Sequence, residues 1–180
     1  DATGLITIDN YGKLIIEGGK VSSVATNPSG SNTKAIYNNG QGLTLTGGEI
    51  YCYSANSHSE CIDYSSSSTI SGGSIKVVAN GSASGLGNRG SDTKILGGTI
   101  SVTSKSGTAY AVTNSSSGKV TISGGNITSA TNSAHDSTAI RHYSGSFIIN
   151  GNATINAESD GGGVATGFYT ESNGVVITGG

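Results

Sequence analysis

The chain has 180 residues and a formal net charge of -2; 30 residues are glycine, one is proline, and none is tryptophan or methionine. The near-neutral charge and the lack of a basic cluster exclude an electrostatic basis for binding nucleic acid, and no apolar run approaches the roughly 18–20 residues of a membrane span. Disordered chains combine low hydrophobicity with high net charge, whereas here Ile, Leu and Val recur at regular intervals. We therefore predict one ordered domain over residues 1–180.

A motif that begins at Ile16 dominates the chain: an apolar residue, one spacer, Gly-Gly, one spacer and a second apolar residue. The sixth copy is degraded, with one extra residue before Ile155, and the chain stops on a half-copy at residues 177–180. The lead apolar residues are spaced 25 to 29 residues apart: Ile16, Leu45, Ile70, Ile95, Ile122, Ile149 and Ile177. A period of this size indicates a solenoid, and the cut repeats at both ends suggest a fragment of a longer surface protein.

Within each repeat, apolar and polar residues alternate over short runs such as residues 43–45 and 75–77. This period of two predicts short β-strands. The Gly-Gly pair lies between two such strands, where glycine allows positive φ and a tight corner. A repeat of about 27 residues accommodates three strands and their corners. We therefore predict an all-β fold: a right-handed, three-sided parallel β-helix of about six coils, with 25–29 residues per coil, stacked at ~4.8 Å.

Each repeat has a second anchor, a small residue followed by a large apolar one. The anchors are Ala35-Ile36, Cys61-Ile62, Gly85-Leu86, Ala111-Val112, Ala139-Ile140 and Gly167-Phe168. Two positions after the anchor the residues are Asn38, Tyr64, Asn88, Asn114, His142 and Thr170. Because asparagine tolerates the left-handed region and stacks with other asparagines, this column predicts a structural corner.

Cys52 and Cys61 lie nine residues apart in one repeat. An even number of cysteines suits a disulfide in a secreted protein. The alternative is two separate buried thiols, because Cys52 stands where other repeats have Val77 and Val102, and Cys61 stands where they have alanine.

Few residues are arranged for catalysis. Glu60 and Asp63 are the candidate pair of carboxylates for a glycosidase, which needs two acids within ~5–10 Å; the alternative is two solvated loop acids. Asp63 and Arg141 share the position after the anchor but belong to coils ~14 Å apart. His58, Glu60 and Cys61 are ligand types that zinc accepts, but the motif lacks metal spacing. We assign no catalytic residue and no metal ligand.

Tyrosine is the most informative residue type for binding. Alternation places Tyr51 and Tyr53 outward, because Ile50 and Cys52 take the inward positions. Exposed flat rings beside polar groups are what sugar rings stack on, although the same tyrosines could simply cover the solenoid wall. The second full coil is densest in such groups, so the predicted ligand-binding residues are His58, Glu60, Tyr51, Tyr53, Asp63 and Tyr64.

The repeats at residues 69–75 and 120–127, with an Ala-Ile or Gly-Leu anchor between them, resemble the β-helical carbohydrate-binding repeats of bacterial cell-surface proteins. Those repeats are relatives in shape of the pectate lyases. The resemblance implies an extracellular module for adhesion, with a polysaccharide or a host or cell-surface glycan as partner. It also raises calcium as a cofactor, since family members carry acidic residues beside the anchor, where this chain has Asp63.

These observations together predict a non-enzymatic extracellular module for adhesion or polysaccharide binding. Two alternatives remain open: a polysaccharide lyase or hydrolase on the same scaffold, and a structural spacer without a ligand.

Overall fold

The computed structural model describes residues 4–27 and 32–179. Three parallel sheets run the length of the molecule, and each complete coil contributes one strand to each sheet. Sheet A consists of β1 (Leu5–Asn10), β4 (Thr33–Asn38), β7 (Ser59–Tyr64), β10 (Ala83–Asn88), β13 (Ala109–Asn114), β16 (Ser137–His142) and β19 (Ala165–Thr170). Sheet B consists of β2 (Lys13–Ile16), β5 (Gly42–Leu45), β8 (Ser68–Ile70), β11 (Thr93–Ile95), β14 (Lys119–Ile122), β17 (Ser146–Ile149) and β20 (Gly174–Ile177). Sheet C consists of β3 (Lys20–Ala25), β6 (Glu49–Ser54), β9 (Ser74–Ala79), β12 (Thr99–Ser104), β15 (Asn126–Thr131) and β18 (Thr154–Ser159).

This arrangement is a three-sided β-solenoid of about six coils, as the repeat predicted. The lead apolar residues stack in unbroken register along sheet B, from Ile16 on Leu45 to Ile149 on Ile177. Together with the inward residues of sheets A and C they form one continuous apolar core. In the described part of the chain there is no helix with the length and hydropathy that crossing a membrane requires.

The Gly-Gly motif forms the corner between sheets B and C. Its second glycine has positive φ, between 74° and 93°, in all five intact copies: Gly19, Gly48, Gly73, Gly98 and Gly125. These corners stack on each other so closely that a Cβ on Gly98 would lie 2.9 Å from the carbonyl oxygen of Gly72. Glycine is therefore required twice, by the backbone angle and by the neighbouring coil. Gly180, the last residue of the half-copy, lies outside the described residues.

The predicted asparagine column forms a buried ladder at the end of the sheet A strands. Asn88 Nδ2 donates to Asn114 Oδ1 at 2.7 Å, and Asn114 Nδ2 lies 3.0 Å from His142 Nδ1. The expectation of left-handed asparagines was wrong, because no described residue other than glycine has positive φ. Their backbone is extended, and their side chains hydrogen-bond one another and the adjacent corner, as buried polar groups must.

The strands of sheet A do not alternate strictly. In β4 both the small anchor Ala35 and the large anchor Ile36 are buried, and the outward positions are the second and fifth of each strand. There is little room at the small anchor: a Cβ on Gly85 would lie 2.6 Å from the carbonyl oxygen of Ala111. The two anchors therefore turn inward together, which explains the recurring pair of a small and a large residue.

Candidate functional site

The outer face of sheet A carries two clusters of charged and aromatic side chains. Its two outward positions form two columns that run across the coils. The first column contains Ile6, Lys34, Glu60, Ser84, Tyr110, Thr138 and Thr166. The second contains Asp9, Tyr37, Asp63, Gly87, Thr113, Arg141 and Tyr169. Seven strands span six inter-strand spacings, so this face is about 29 Å long.

Four charged side chains form a closed network near one end of this face. Asp63 is only 4% exposed and binds two cations, with Lys34 Nζ 2.6 Å from Oδ2 and Arg89 Nε 2.7 Å from Oδ1. Glu60 is bound by the same two cations, at 3.5 Å from Lys34 and 3.2 Å from Arg89. The alternative interpretation of the two acids as solvated loop residues is therefore wrong. They lie on strand β7 in a network whose formal charges cancel.

Electrostatics within this network stabilise the charged forms of its cations. Burial by itself would lower the pKa of Lys34, but the carboxylates of Asp63 and Glu60 outweigh it, so the pKa is raised. The pKa of Arg89 is raised by the same competition, in which the two carboxylates outweigh desolvation. Opposite charges at hydrogen-bonding distance favour ionisation. The network thus presents fixed donors and acceptors to solvent but no net charge.

A second cluster lies toward the other end of the face and is aromatic. The guanidinium carbon of Arg141 lies 4.9 Å from the ring centroid of Tyr110, 4.7 Å from that of Tyr143 and 5.9 Å from that of Tyr169. These are cation–π distances. Tyr169 is 41% exposed and donates a 2.9 Å hydrogen bond to Glu171 Oε1, a contact that raises the pKa of its hydroxyl.

Four shallow depressions lie along the same face, with volumes of about 240, 210, 480 and 350 Å³. The second contains the two smallest outward residues, Ser84 and Gly87, between Glu60 on one side and Tyr110 on the other. The face cannot be flat there, because the neighbouring coils carry larger side chains at both positions. The 350 Å³ depression is lined by Tyr110, Arg141 and Tyr169.

The predicted site residues divide among three parts of the molecule. His58, Glu60 and Asp63 border the depressions of sheet A, and burial lowers the pKa of His58. Tyr51 and Tyr53 face outward as predicted, but on β6 of sheet C, where Lys20 Nζ lies 4.9 Å from the Tyr51 ring centroid. The six residues therefore do not form one surface.

The expectation that Tyr64 is an exposed ligand-binding ring was wrong. Tyr64 is 0% exposed and takes an asparagine-ladder position, where its hydroxyl hydrogen-bonds the Thr93 hydroxyl. Burial raises its pKa to about 12. The ladder position points inward in every central coil, so a tyrosine there enters the core.

Sequence reasoning missed Lys34, Arg89 and the group around Arg141. Aligning consecutive repeats with each other would have indicated these contacts. Arg141 lies one coil from Tyr169 and one coil from Tyr110, and Lys34 and Arg89 each lie one coil from Asp63. The register confirms that Asp63 and Arg141 lie three coils apart, whereas the partners of each lie about one coil away.

Cys52 and Cys61 are both free and 0% exposed, so the structure favours two buried thiols over a disulfide. Interaction with Cys61 lowers the pKa of the Cys52 thiol, and burial raises the pKa of Cys61 well above its ordinary value. Within residues 4–27 and 32–179, no three His, Cys, Asp or Glu side chains are grouped to hold a metal ion. Asp63, the acid at the position suited to calcium, binds Lys34 and Arg89 instead.

Fold and surface together define a parallel β-solenoid whose sheet A presents a polar, tyrosine-bearing face. Comparison with protein-family models, curated proteins and solved structures gave no match to this chain in any of the three.

Proposed function

We propose that this chain is a non-enzymatic carbohydrate-binding module of an extracellular surface protein, which holds a saccharide along the outer face of sheet A. The observation that carries the proposal is the combination on that face of partly exposed tyrosine rings, fixed polar groups and a line of shallow depressions. Sugars present both apolar ring faces and hydroxyl groups. Binding them takes aromatic surfaces next to hydrogen-bonding groups that are already oriented.

Rigidity of the site also supports binding. Lys34, Glu60, Asp63 and Arg89 hold one another in place, and the Lys34 ammonium lies 5.2 Å from the Tyr37 ring centroid. Side chains that are ordered before the ligand arrives lose less conformational entropy on binding. Lys34, Glu60 and Asp63 project from strands of a stacked sheet, which is a more precise support than a loop, and Arg89 directly follows strand β10.

The alternative of a lyase or hydrolase has less support. A glycosidase needs one carboxyl group to donate a proton and another to act as base or nucleophile. Glu60 and Asp63, the predicted pair, each bind two cations already, so neither is presented free to a substrate. Binding without turnover is therefore the function that we put forward.

A glycan array with the purified chain tests the proposal, with product analysis on every glycan that binds. The variant Tyr37→Ala/Tyr110→Ala removes two rings from sheet A. The matched control Tyr51→Ala/Tyr53→Ala removes two rings from sheet C and tests the site predicted from sequence. Loss of a stacked ring should cost on the order of 1 kcal/mol, a several-fold loss of affinity.

We expect weaker binding only for the sheet A variant, with an unchanged circular dichroism spectrum for both. Weaker binding only for the control would move the site to sheet C. Released product would establish the enzyme alternative. The absence of binding to any glycan would favour the alternative of a structural spacer without a ligand.

A further inference from the structure

Arg141 differs from the other two cations at this face. Lys34 and Arg89 each bind both Glu60 and Asp63. In the part of the chain that the structure describes, Arg141 has no carboxylate within the 4.0 Å limit of an ion pair. Its partners are tyrosine rings, which attract a cation without neutralising it.

Two carboxylates border this cluster, Asp136 in the lining of the depression and Glu171 beside Tyr169, and both have other partners. Asp136 Oδ1 accepts a 2.9 Å hydrogen bond from the Val164 amide, and Glu171 Oε1 accepts one from the Tyr169 hydroxyl. Of the three cations at this face, Arg141 is therefore the one that forms no ion pair with a carboxylate of the described residues. Its guanidinium borders the 350 Å³ depression, whose lining also includes the Asp136 carboxylate.

The tyrosine rings also restrict how Arg141 can bind a ligand. A guanidinium that lies over ring faces keeps its N–H groups at its planar edge, and that edge pairs with the two oxygens of a carboxylate or sulfate. Thr138 and Thr166 line the same depression and add hydroxyl groups suited to a sugar. The depression thus combines one anion-binding edge, an exposed ring, neutral hydrogen-bonding groups and the Asp136 carboxylate, which is hydrogen-bonded to the Val164 amide.

We infer that the depression around Arg141 is a subsite for one anionic group, a carboxylate or a sulfate, carried by the bound saccharide. The inference rests on the proposed function and specifies its ligand. Because the network at the other end is electrically balanced, the face matches a saccharide with one charged unit and neutral neighbours. A polyanion would place further charges beside groups that are already paired.

The test measures equilibrium binding to matched oligosaccharides: a form with one uronic acid, its carboxyl-reduced counterpart, and a counterpart with one sulfate in place of the carboxyl group. Wild type should prefer the anionic forms over the neutral form by roughly tenfold, the scale of a charge-assisted hydrogen bond. The preference should shrink as salt is raised. The sulfated and carboxylated arms show which anion the subsite takes.

Arg141→Gln should abolish the preference while binding of the neutral form persists, and Arg141→Lys should retain part of it. Lys94→Gln is the matched control, because it removes one exposed positive charge from sheet B, and it should leave the preference intact. Equal binding of charged and neutral forms by wild type would overturn this inference and leave the proposed function standing. No binding to any form would overturn both. The wild-type ratio decides the matter even if a variant fails to fold.

Discussion

Ile122 and Ile177 take the same lead position of the same motif, yet Ile122 is 0% exposed and Ile177 is 63% exposed. The contrast extends to whole coils. The inward residues of β15 are buried, whereas the corresponding residues of β18, one coil later, are only half-buried. In a solenoid each repeat contacts only its neighbours, so a residue with a coil on one side alone loses much of its burial. The same sequence pattern therefore contributes different amounts of stability in interior and terminal coils.

The sharpest test of this comparison is an aspartate in each of the two positions. Ile122→Asp would bury an unpaired charge between Ile95 and Ile149 and should cost about 4 kcal/mol or more of the free energy of unfolding. Ile177→Asp should cost less than about 1 kcal/mol, because water reaches the new carboxylate. Chemical denaturation of both variants measures the difference. Equal losses of stability would contradict the difference in burial. An Ile122→Asp variant with an unchanged free energy of unfolding would contradict the stacking register of the lead residues.

A second pair separates backbone strain from contact with the neighbouring coil. Gly19 and Gly98 both have positive φ, but a Cβ on Gly19 meets no atom within 4 Å, whereas one on Gly98 meets the carbonyl oxygen of Gly72 at 2.9 Å. Gly19→Ala should cost about 1–2 kcal/mol from the left-handed backbone alone. Gly98→Ala should cost a further ~1–3 kcal/mol from overpacking. Thermal melts of the two variants test this, and a Gly19→Ala loss as large as that of Gly98→Ala would show that strain alone governs the corner.

The asparagine ladder provides a test by pH. His142 is 0% exposed, its Nε2 lacks a hydrogen-bond partner among the described residues, and its ring packs edge-on against Phe147. Burial lowers the pKa of His142 in the folded chain. The unfolded chain therefore takes up the proton first, and stability that is complete above about pH 6.5 should fall as the pH drops below that value.

His142→Asn continues the ladder from Asn114 without a titrating group. We expect its loss of stability between pH 8 and pH 5 to be smaller than that of wild type. His58, whose pKa burial also lowers, contributes acid sensitivity of the same sign. Unfolding measured at pH 8, where neither histidine is charged, gives the packing cost of the substitution. Identical pH slopes for the two proteins would exclude His142 as a source of acid sensitivity.

The smallest effect is expected at Cys52. Val77 takes the equivalent position one coil later, so Cys52→Val should change the free energy of unfolding by less than about 1.5 kcal/mol. Two free thiols should titrate in the denatured, unreduced protein. A single disulfide, by contrast, would leave no titratable thiol and make the substitution cost roughly 2–3 kcal/mol.

The sequence by itself determined the solenoid, its coil count and the stacking of its lead residues. These features are local and repeated: the glycine corner, the period of two and the 25–29 residue step each recur in the sequence and agree with one another. The same alternation correctly turned Tyr51 and Tyr53 outward on sheet C.

Only the tertiary structure decided which residues form the candidate site. Tyr37 directly follows its large anchor and lies at the surface, whereas Tyr64 is the second residue after its large anchor and lies in the core. Sheet A does not alternate strictly, so alternation alone does not predict this difference. The contacts of Arg141 with Tyr110 and Tyr169 join residues about one coil apart, 31 and 28 positions away in the chain. Which residues become neighbours depends on the register between strands. Because the coils differ in length, that register does not follow from sequence spacing alone and is set when the coils stack.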